Sequence, residues 1–220
     1  MMKIFKNIFI FISYFIYEYL FLALLEKYGI NYKNLNYSNK VLIVFIINLI
    51  FMIFLLIMYR KEIKKDILDF KTNYKTYLSK NVGLYILGVF LMAISNILLQ
   101  HFTHLEISGN EESVRSLIDK IPLFMAFSSI IYAPFTEEII FRKTIKNIIK
   151  HKYVFIILSG VIFGVLHISD FKDINQILMG IPYIIMGIDF AYIYHRTNNI
   201  FTTMTFHLCH NLLLFTLQLI

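Results

Sequence analysis

The sequence predicts an all-α protein, a polytopic membrane bundle of about seven transmembrane helices, within a range of six to eight. Three observations support this fold class. The 220 residues are 58% hydrophobic and only 16% charged, a higher apolar share than soluble domains carry. Apolar windows of about 20 residues, the length that crosses a bilayer, recur along the whole chain. The basic residues cluster between those windows, where they act as a topology signal.

Seven apolar windows follow one another, and each predicts one membrane helix. They lie at about 4–25, 41–59, 82–100, 121–141, 153–169, 177–194 and 200–219. The first window follows a basic start, but it is too long for a signal-peptide core and is interpreted as a retained helix. No repeat or Pro/Gly-rich linker divides the chain, so 1–220 is interpreted as one membrane domain.

Charge placement predicts how the helices are oriented. The segment 60–80 is rich in lysine and arginine, whereas 101–120 is net acidic. The positive-inside rule therefore places 60–80 in the cytoplasm, together with the N-terminus, and 101–120 outside a cell membrane that the chain crosses several times. The segment 26–40 fits this scheme least well, because lysines outnumber acids there. The net charge of +7 is accounted for by topology and lipid headgroups, without nucleic acid as a partner.

The ionisable residues inside the apolar windows predict a functional site, because such groups are costly in a bilayer. They occur in three short motifs of the second half, "EEIIFR" at 137–142, "FGVLH" at 163–167 and "HLCHN" at 207–211. Residues four apart lie on the same face of a helix. This spacing pairs Phe163 with His167, His207 with Asn211, and Glu138 with Arg142.

Helix lengths predict that the three motifs meet at one depth. Glu137 lies 14 residues before His151, and His167 lies 15 residues after Lys152. At 1.5 Å per residue, both are about 21 Å from the same turn. His207 follows the "TNN" turn by about 12 Å on the same side. The three side chains are therefore expected to lie level, inside the membrane and nearer the cytoplasm.

This combination of groups predicts hydrolysis. A carboxylate can take a proton from water while a histidine holds or relays it, and further donors can stabilise an oxyanion. These residues also have non-catalytic interpretations. The glutamates could lie at a helix end and extend their side chains to water, and the histidines could form hydrogen bonds between helices. A zinc or iron site is the other chemical alternative. It is disfavoured because the sequence has no His-Glu-x-x-His helix and an amide is an unusual ligand.

Other polar residues in the windows receive structural interpretations. His210 lies off the face of His207 and is expected to join helices. The single cysteine, Cys209, excludes an intrachain disulfide and is expected to be a packing residue. Asp189 is expected to snorkel or to pair with Arg196, and Glu18 has no evident partner.

The three motifs together resemble the CPBP family of intramembrane glutamic endopeptidases. This family contains CAAX proteases and bacteriocin-processing enzymes and is also called Abi. The resemblance covers about 120–215 and implies that 121–220 is a catalytic core behind a variable N-terminal part, 1–120. It implies that Glu137 and His167 activate water and that His207 and Asn211 form an oxyanion hole. Three further residues would support the site: Glu138, Arg142 and Phe163.

The sequence therefore predicts a metal-independent intramembrane endopeptidase without a cofactor. Its substrate is expected to be a membrane-associated peptide, CAAX-like or the leader of a pheromone or bacteriocin. The alternative is a non-catalytic bacteriocin-immunity or membrane scaffolding protein with the same fold. A proton-coupled transporter ranks lower, because the chain lacks repeated halves.

Overall fold

A computed structural model describes residues 2–28 and 32–219, apart from the side chains of Met2, Leu22, Leu25 and Lys33. These residues form eight helices and no strand. Helix α1 consists of Met2–Phe15 and Phe21–Lys27, joined by a π-helical turn at Ile16–Leu20. The others are α2 (Tyr37–Met58), α3 (Arg60–Thr103), α4 (Gly109–Lys120), α5 (Pro122–Ile148), α6 (Lys152–Val165), α7 (Ile174–Thr197) and α8 (Ile200–Gln218).

Five of these helices, α2, α3, α5, α7 and α8, are long and apolar enough to cross a membrane. The predicted all-α membrane bundle is confirmed. The other two predicted windows are also helical. The first is α1, and the fifth is α6, which has only 14 residues. At 1.5 Å per residue α6 is about 21 Å long, shorter than the roughly 30 Å of the hydrocarbon core.

Helix α3 is longer than its apolar window predicts. The basic segment 60–80, expected to be a connection, is helical and continues into the span, so that α3 has 44 residues and a length of about 66 Å. Its first half places Ile63 and Asp66 against the bundle and leaves the lysines on the opposite side exposed. Only Tyr59 separates α2 from α3. The predicted outer segment 26–40 lies partly outside the described residues, at 29–31.

The basic segments lie together at one end of the bundle. Three hydrogen bonds tie them: Lys6 to Glu62 at 3.2 Å, Lys146 to Asn198 at 3.1 Å, and Asn199 to the carbonyl of Asp66 at 2.8 Å. The start of α1, the start of α3 and the two turns that flank α6 and α8 therefore share this end. The acidic helix α4 lies towards the opposite end, where Gly109 binds Gln176 of α7.

Helices α6 and α7 pack with their backbones in contact. A Cβ atom on Gly160 would lie 2.7 Å from the backbone nitrogen of Ile188, and one on Gly164 would lie 2.6 Å from that of Ile184. Small residues four apart allow membrane helices to approach this closely. The contact holds Phe163 of α6 beside α7 and so defines one wall of the site.

Candidate active site

The four residues expected to be catalytic, Glu137, His167, His207 and Asn211, line one cavity of about 280 Å³. They come from α5, from the turn after α6, and from α8. The cavity also holds Phe163 and reaches the face of α4. Residues from three separate motifs therefore meet at one place, as the expected depths of the helices predict.

A buried ion pair lies directly behind Glu137. Glu138 and Arg142 are both fully inaccessible to solvent, and Arg142 Nε lies 3.3 Å from Glu138 Oε2. Arg142 also donates to Ser159 Oγ at 3.2 Å, and Ser159 in turn donates to the carbonyl of Phe141 at 2.7 Å. The guanidinium lies 4.7 Å from the ring centroid of Phe163. Charges this deep must be paired, and the aromatic face adds a cation–π contact.

The backbone around this pair is π-helical from Glu138 to Thr144. Such segments are rare and frequently occur at functional sites. The wider turn leaves the spacing of four residues between Glu138 and Arg142 intact, and their side chains lie on one face as predicted. The wider turn also leaves backbone carbonyls without their usual helical partners. Thr144 Oγ1 donates a hydrogen bond to one of them, the carbonyl of Ile139, at 2.9 Å.

His207 lies between the two glutamates. Its Nδ1 is 3.0 Å from Glu138 Oε1, and its Nε2 is 3.7 Å from Glu137 Oε2. An ionised carboxylate only accepts hydrogen bonds, so His207 Nδ1 carries a proton and donates a hydrogen bond to Glu138. The ring of Phe190 stacks on His207 at 5.0 Å.

His167 lies in a turn and not on a helix. Helix α6 ends at Val165, and the backbone nitrogen of His167 bonds the carbonyl of Gly164 at 3.0 Å. The helix that was expected to reach His167 ends two residues earlier, but Phe163 and His167 still lie together, with ring centroids 4.6 Å apart. The carbonyl of Phe163 is instead 2.8 Å from His167 Nδ1. A carbonyl cannot donate, so Nδ1 donates and a neutral ring presents Nε2 as an acceptor.

Asn211 is held by a second π-helical segment, Phe127–Tyr132. Its Nδ2 donates to the carbonyl of Ser129 at 2.7 Å. The amide has two N–H groups, so this bond orients Asn211 and leaves one N–H for a ligand. His210, expected to lie off this face, also lines the cavity, because three residues turn a helix by about 300° and so leave His210 only about 60° from His207. Cys209 is exposed on the other side of α8.

Comparison with known proteins bears on the second half of the chain. Residues 119–213 match the family model described as type II CAAX prenyl endopeptidase, Rce1-like. This segment, called the Rce1-like segment below, is similar to that family. The match contains all seven residues that the motifs predict for the site, and the resemblance drawn from those motifs is confirmed over it. Helices α1 to α3 lie outside the Rce1-like segment.

Two relatives extend the comparison. The chain is 36% identical over 115 residues to YdiL of Bacillus subtilis, which is named as a membrane peptidase, covering 51% of this chain and 44% of the relative. It is 32% identical over 139 residues to the membrane-embedded CAAX protease MroQ of Staphylococcus aureus, covering 59% and 53%. The chain therefore spans about half the length of these relatives. No solved structure matches.

Two isolated acids of the sequence have neighbours that were not expected. Asp189 does not pair with Arg196. Its carboxylate is packed against Gly88, where a Cβ would lie 2.8 Å from Asp189 Cγ. Glu18, which lies outside the Rce1-like segment, lies near Tyr14 and within electrostatic range of Glu137. Helix α1 therefore brings a third carboxylate near the site.

The rest of the cavity is apolar, with a polar rim. Methionines and aromatic residues form its walls, and Asn110, Glu111 and Arg115 of α4 line it at the far end. Arg115 Nε is 2.9 Å from Glu111 Oε1. Within 2–28 and 32–219, no three His, Cys, Asp or Glu side chains converge as a metal site requires.

Several residues around the candidate site were missed by the sequence interpretation. Ser159 holds Arg142, Phe190 stacks on His207, and Tyr183 stacks on His167 at 4.5 Å. The run "SGVIFG" carries a signal for the first, because small residues at this spacing indicate a close helix contact. Neither aromatic residue carries such a signal, since phenylalanine and tyrosine are abundant throughout the chain.

Proposed function

We propose that this chain is an intramembrane endopeptidase that hydrolyses a peptide bond of a membrane-associated peptide through a water molecule activated by Glu137. One observation carries the proposal: His207 lies between Glu137 and Glu138 in a cavity that also contains His167 and Asn211. The Rce1-like segment and the names of the two relatives support a peptidase. The proposed setting is a cell membrane crossed several times, with the N-terminus in the cytoplasm.

In the proposed reaction, Glu137 takes one proton from the water. His167 orients the same water by accepting its second hydrogen at Nε2, the nitrogen left unprotonated by the bond to Phe163. The water oxygen then attacks the carbonyl carbon of the peptide. Because Glu137 lies only 3.7 Å from His207, a reacting group within about 2.8 Å of both fits beside them.

The carbonyl becomes an oxyanion as the new C–O bond forms. His207, held by Glu138 at Nδ1, donates to this oxygen through Nε2–H, and Asn211 donates through its second N–H. When the carbonyl re-forms, the C–N bond breaks and the leaving nitrogen takes the proton held by Glu137. The products are a carboxylic acid and an amine, and no metal ion is required.

The test compares the wild-type chain with Glu137→Gln in detergent, with a chelator present, on fluorogenic membrane-anchored peptides. Glutamine keeps the shape of the side chain but cannot take a proton, so we expect cleavage to fall at least about 100-fold. Glu112→Gln is the matched control, because Glu112 is exposed on α4. Its activity should equal that of the wild type.

Three results would contradict this function. Activity that Glu137→Gln retains would exclude Glu137 as the base. Activity that the chelator abolishes and zinc restores would establish a metal enzyme. A folded wild type that cleaves no peptide, measured beside an active relative, would favour the non-catalytic immunity or scaffolding protein.

A further inference from the structure

We infer that Tyr183 is a positioning residue that holds His167 in its reactive orientation, and that helix α4 holds Tyr183. This inference deepens the proposed function and rests on it. Tyr183 belongs to none of the three motifs, and α4 lies almost entirely outside the Rce1-like segment.

The first step is that the backbone fixes His167 only weakly. His167 lies in the turn that follows α6, and one hydrogen bond, from Nδ1 to the carbonyl of Phe163, orients its ring. Rotation about that bond would still swing Nε2 across the cavity. A single hydrogen bond therefore does not determine where Nε2 points.

Two aromatic rings supply the missing restraint. Tyr183 stacks on His167 with ring centroids 4.5 Å apart and an angle of 18° between the planes. Phe163 contacts the same imidazole at 4.6 Å and 41°. Offset stacking at these distances is the arrangement that aromatic rings favour. The imidazole thus contacts two rings, and the nearly parallel ring of Tyr183 sets the plane in which Nε2 lies.

The hydroxyl of Tyr183 is in turn anchored to the start of α4. Its oxygen is 3.2 Å from Ser108 Oγ and accepts from Asn110 Nδ2 at 3.3 Å. A tyrosine hydroxyl can donate one hydrogen bond and accept others, so both contacts form together. The beginning of α4 is itself fixed, because the backbone nitrogen of Gly109 donates to Gln176 Oε1 at 2.8 Å.

Gly109 strengthens this anchor. A Cβ atom there would collide with the hydroxyl of Ser169, which also donates to Gln176 at 3.0 Å. The start of α4 therefore fits closely against the connection between α6 and α7, which contains His167. Movement of α4 would move Tyr183, and movement of Tyr183 would release His167.

The test measures both catalysis and the histidine itself. A displacement of about 1 Å in a reacting group can cost about 100-fold in rate. We therefore expect Tyr183→Leu to lower kcat by about 10- to 100-fold, with a much smaller change in KM. Tyr183→Phe keeps the stacked ring but loses the hydrogen bonds to α4, so kcat should fall by a few fold, less than in Tyr183→Leu. The matched control is Tyr192→Leu, a half-buried tyrosine of the same helix that does not line the cavity.

Nuclear magnetic resonance of the full chain labelled with [15N]histidine gives a readout that does not need a substrate. The ring signals of His167, assigned with His167→Gln, should shift most in Tyr183→Leu, shift less in Tyr183→Phe, and stay near their wild-type positions in Tyr192→Leu. Unchanged His167 signals in Tyr183→Leu would overturn the inference, and so would an unchanged kcat. A wild type that cleaves no peptide but shows the expected shifts would refute the proposed function and uphold the positioning of His167.

Discussion

At the scale of single residues, the most demanding feature is the ion pair of Glu138 and Arg142. Neither side chain is accessible to solvent, and each has further partners in His207 and Ser159. The attraction between two buried charges is offset by the loss of their hydration, so the pair as a whole contributes little to stability. Removing one partner is different, because it leaves the other charge buried and unpaired. We therefore interpret the role of the pair as the orientation of His207 and not as a contribution to stability.

This interpretation predicts opposite effects of single and double substitutions. Arg142→Leu should lower the free energy of unfolding by about 3–5 kcal/mol, since it leaves Glu138 charged in an apolar site. The double variant Glu138→Leu with Arg142→Leu should recover most of that loss. The proposed peptidase activity should nevertheless be absent in the double variant, because His207 loses its partner. Unfolding in mixed micelles, followed by circular dichroism, measures the first effect, and a double variant as unstable as the single would contradict the interpretation.

Sequence reasoning predicted that these residues lie together, but it did not predict their surroundings. Glu138 and Arg142 could be paired from helical spacing alone, because side chains four apart face each other. His167 could not be placed on its turn, since "VLHIS" continues the apolar character of α6 and gives no stop signal. Tyr183 became visible only when α4 and α7 were brought together, because its role depends on a contact between distant parts of the chain.

At the scale of helices, the contact between α6 and α7 determines the geometry of the site. Gly160 approaches the backbone of Ile188, and the neighbouring Ser159 holds Arg142. The same short helix carries Phe163 and ends just before His167. A change in the spacing of α6 and α7 would therefore move both the ion pair and the histidine.

Gly160→Leu tests this dependence. A leucine side chain would collide with the backbone of α7, and overpacking of this kind costs about 1–3 kcal/mol. We expect this loss of stability together with a loss of the proposed peptidase activity. Val161→Leu is the control, because the adjacent Val161 is exposed and should tolerate the larger side chain. Equal thermal stability of the two variants would show that the helices can separate without consequence.

The lengths of the helices show where sequence patterns stop being informative. Apolar windows predicted the five long spans, because hydrophobicity over about 20 residues is a direct signal. They did not predict that 60–80 is helical, since that segment is polar. Its inner face is held by tertiary contacts, such as those of Asp66 with Lys143 and of Asp69 with Asn199. Such contacts leave no periodic trace in the sequence.

At the scale of the whole molecule, the N-terminal helices are joined to the Rce1-like segment by buried polar contacts. Lys143 of α5 forms an ion pair with Asp66 of α3, and both side chains are almost fully buried. Tyr59 adds a hydrogen bond to Thr144 at 2.7 Å. The first 120 residues are therefore attached through specific bonds as well as through apolar packing, and they keep α1 and its Glu18 beside the site.

Double-mutant cycles on two ion pairs of the same chain test this attachment. We expect Lys143→Met and Asp66→Leu to be strongly coupled, by about 2–3 kcal/mol, because each single change leaves a buried charge unpaired. Lys6 and Glu62, which are 3.2 Å apart but about 30% exposed (27% and 32%), form the matched control. Water screens that pair, so its coupling should stay below about 1 kcal/mol. Equal coupling energies would mean that burial does not strengthen the link. A larger coupling energy for Lys143 and Asp66 than for Lys6 and Glu62 would show that the Lys143–Asp66 contact joins α3 to α5, the helix that carries Glu137.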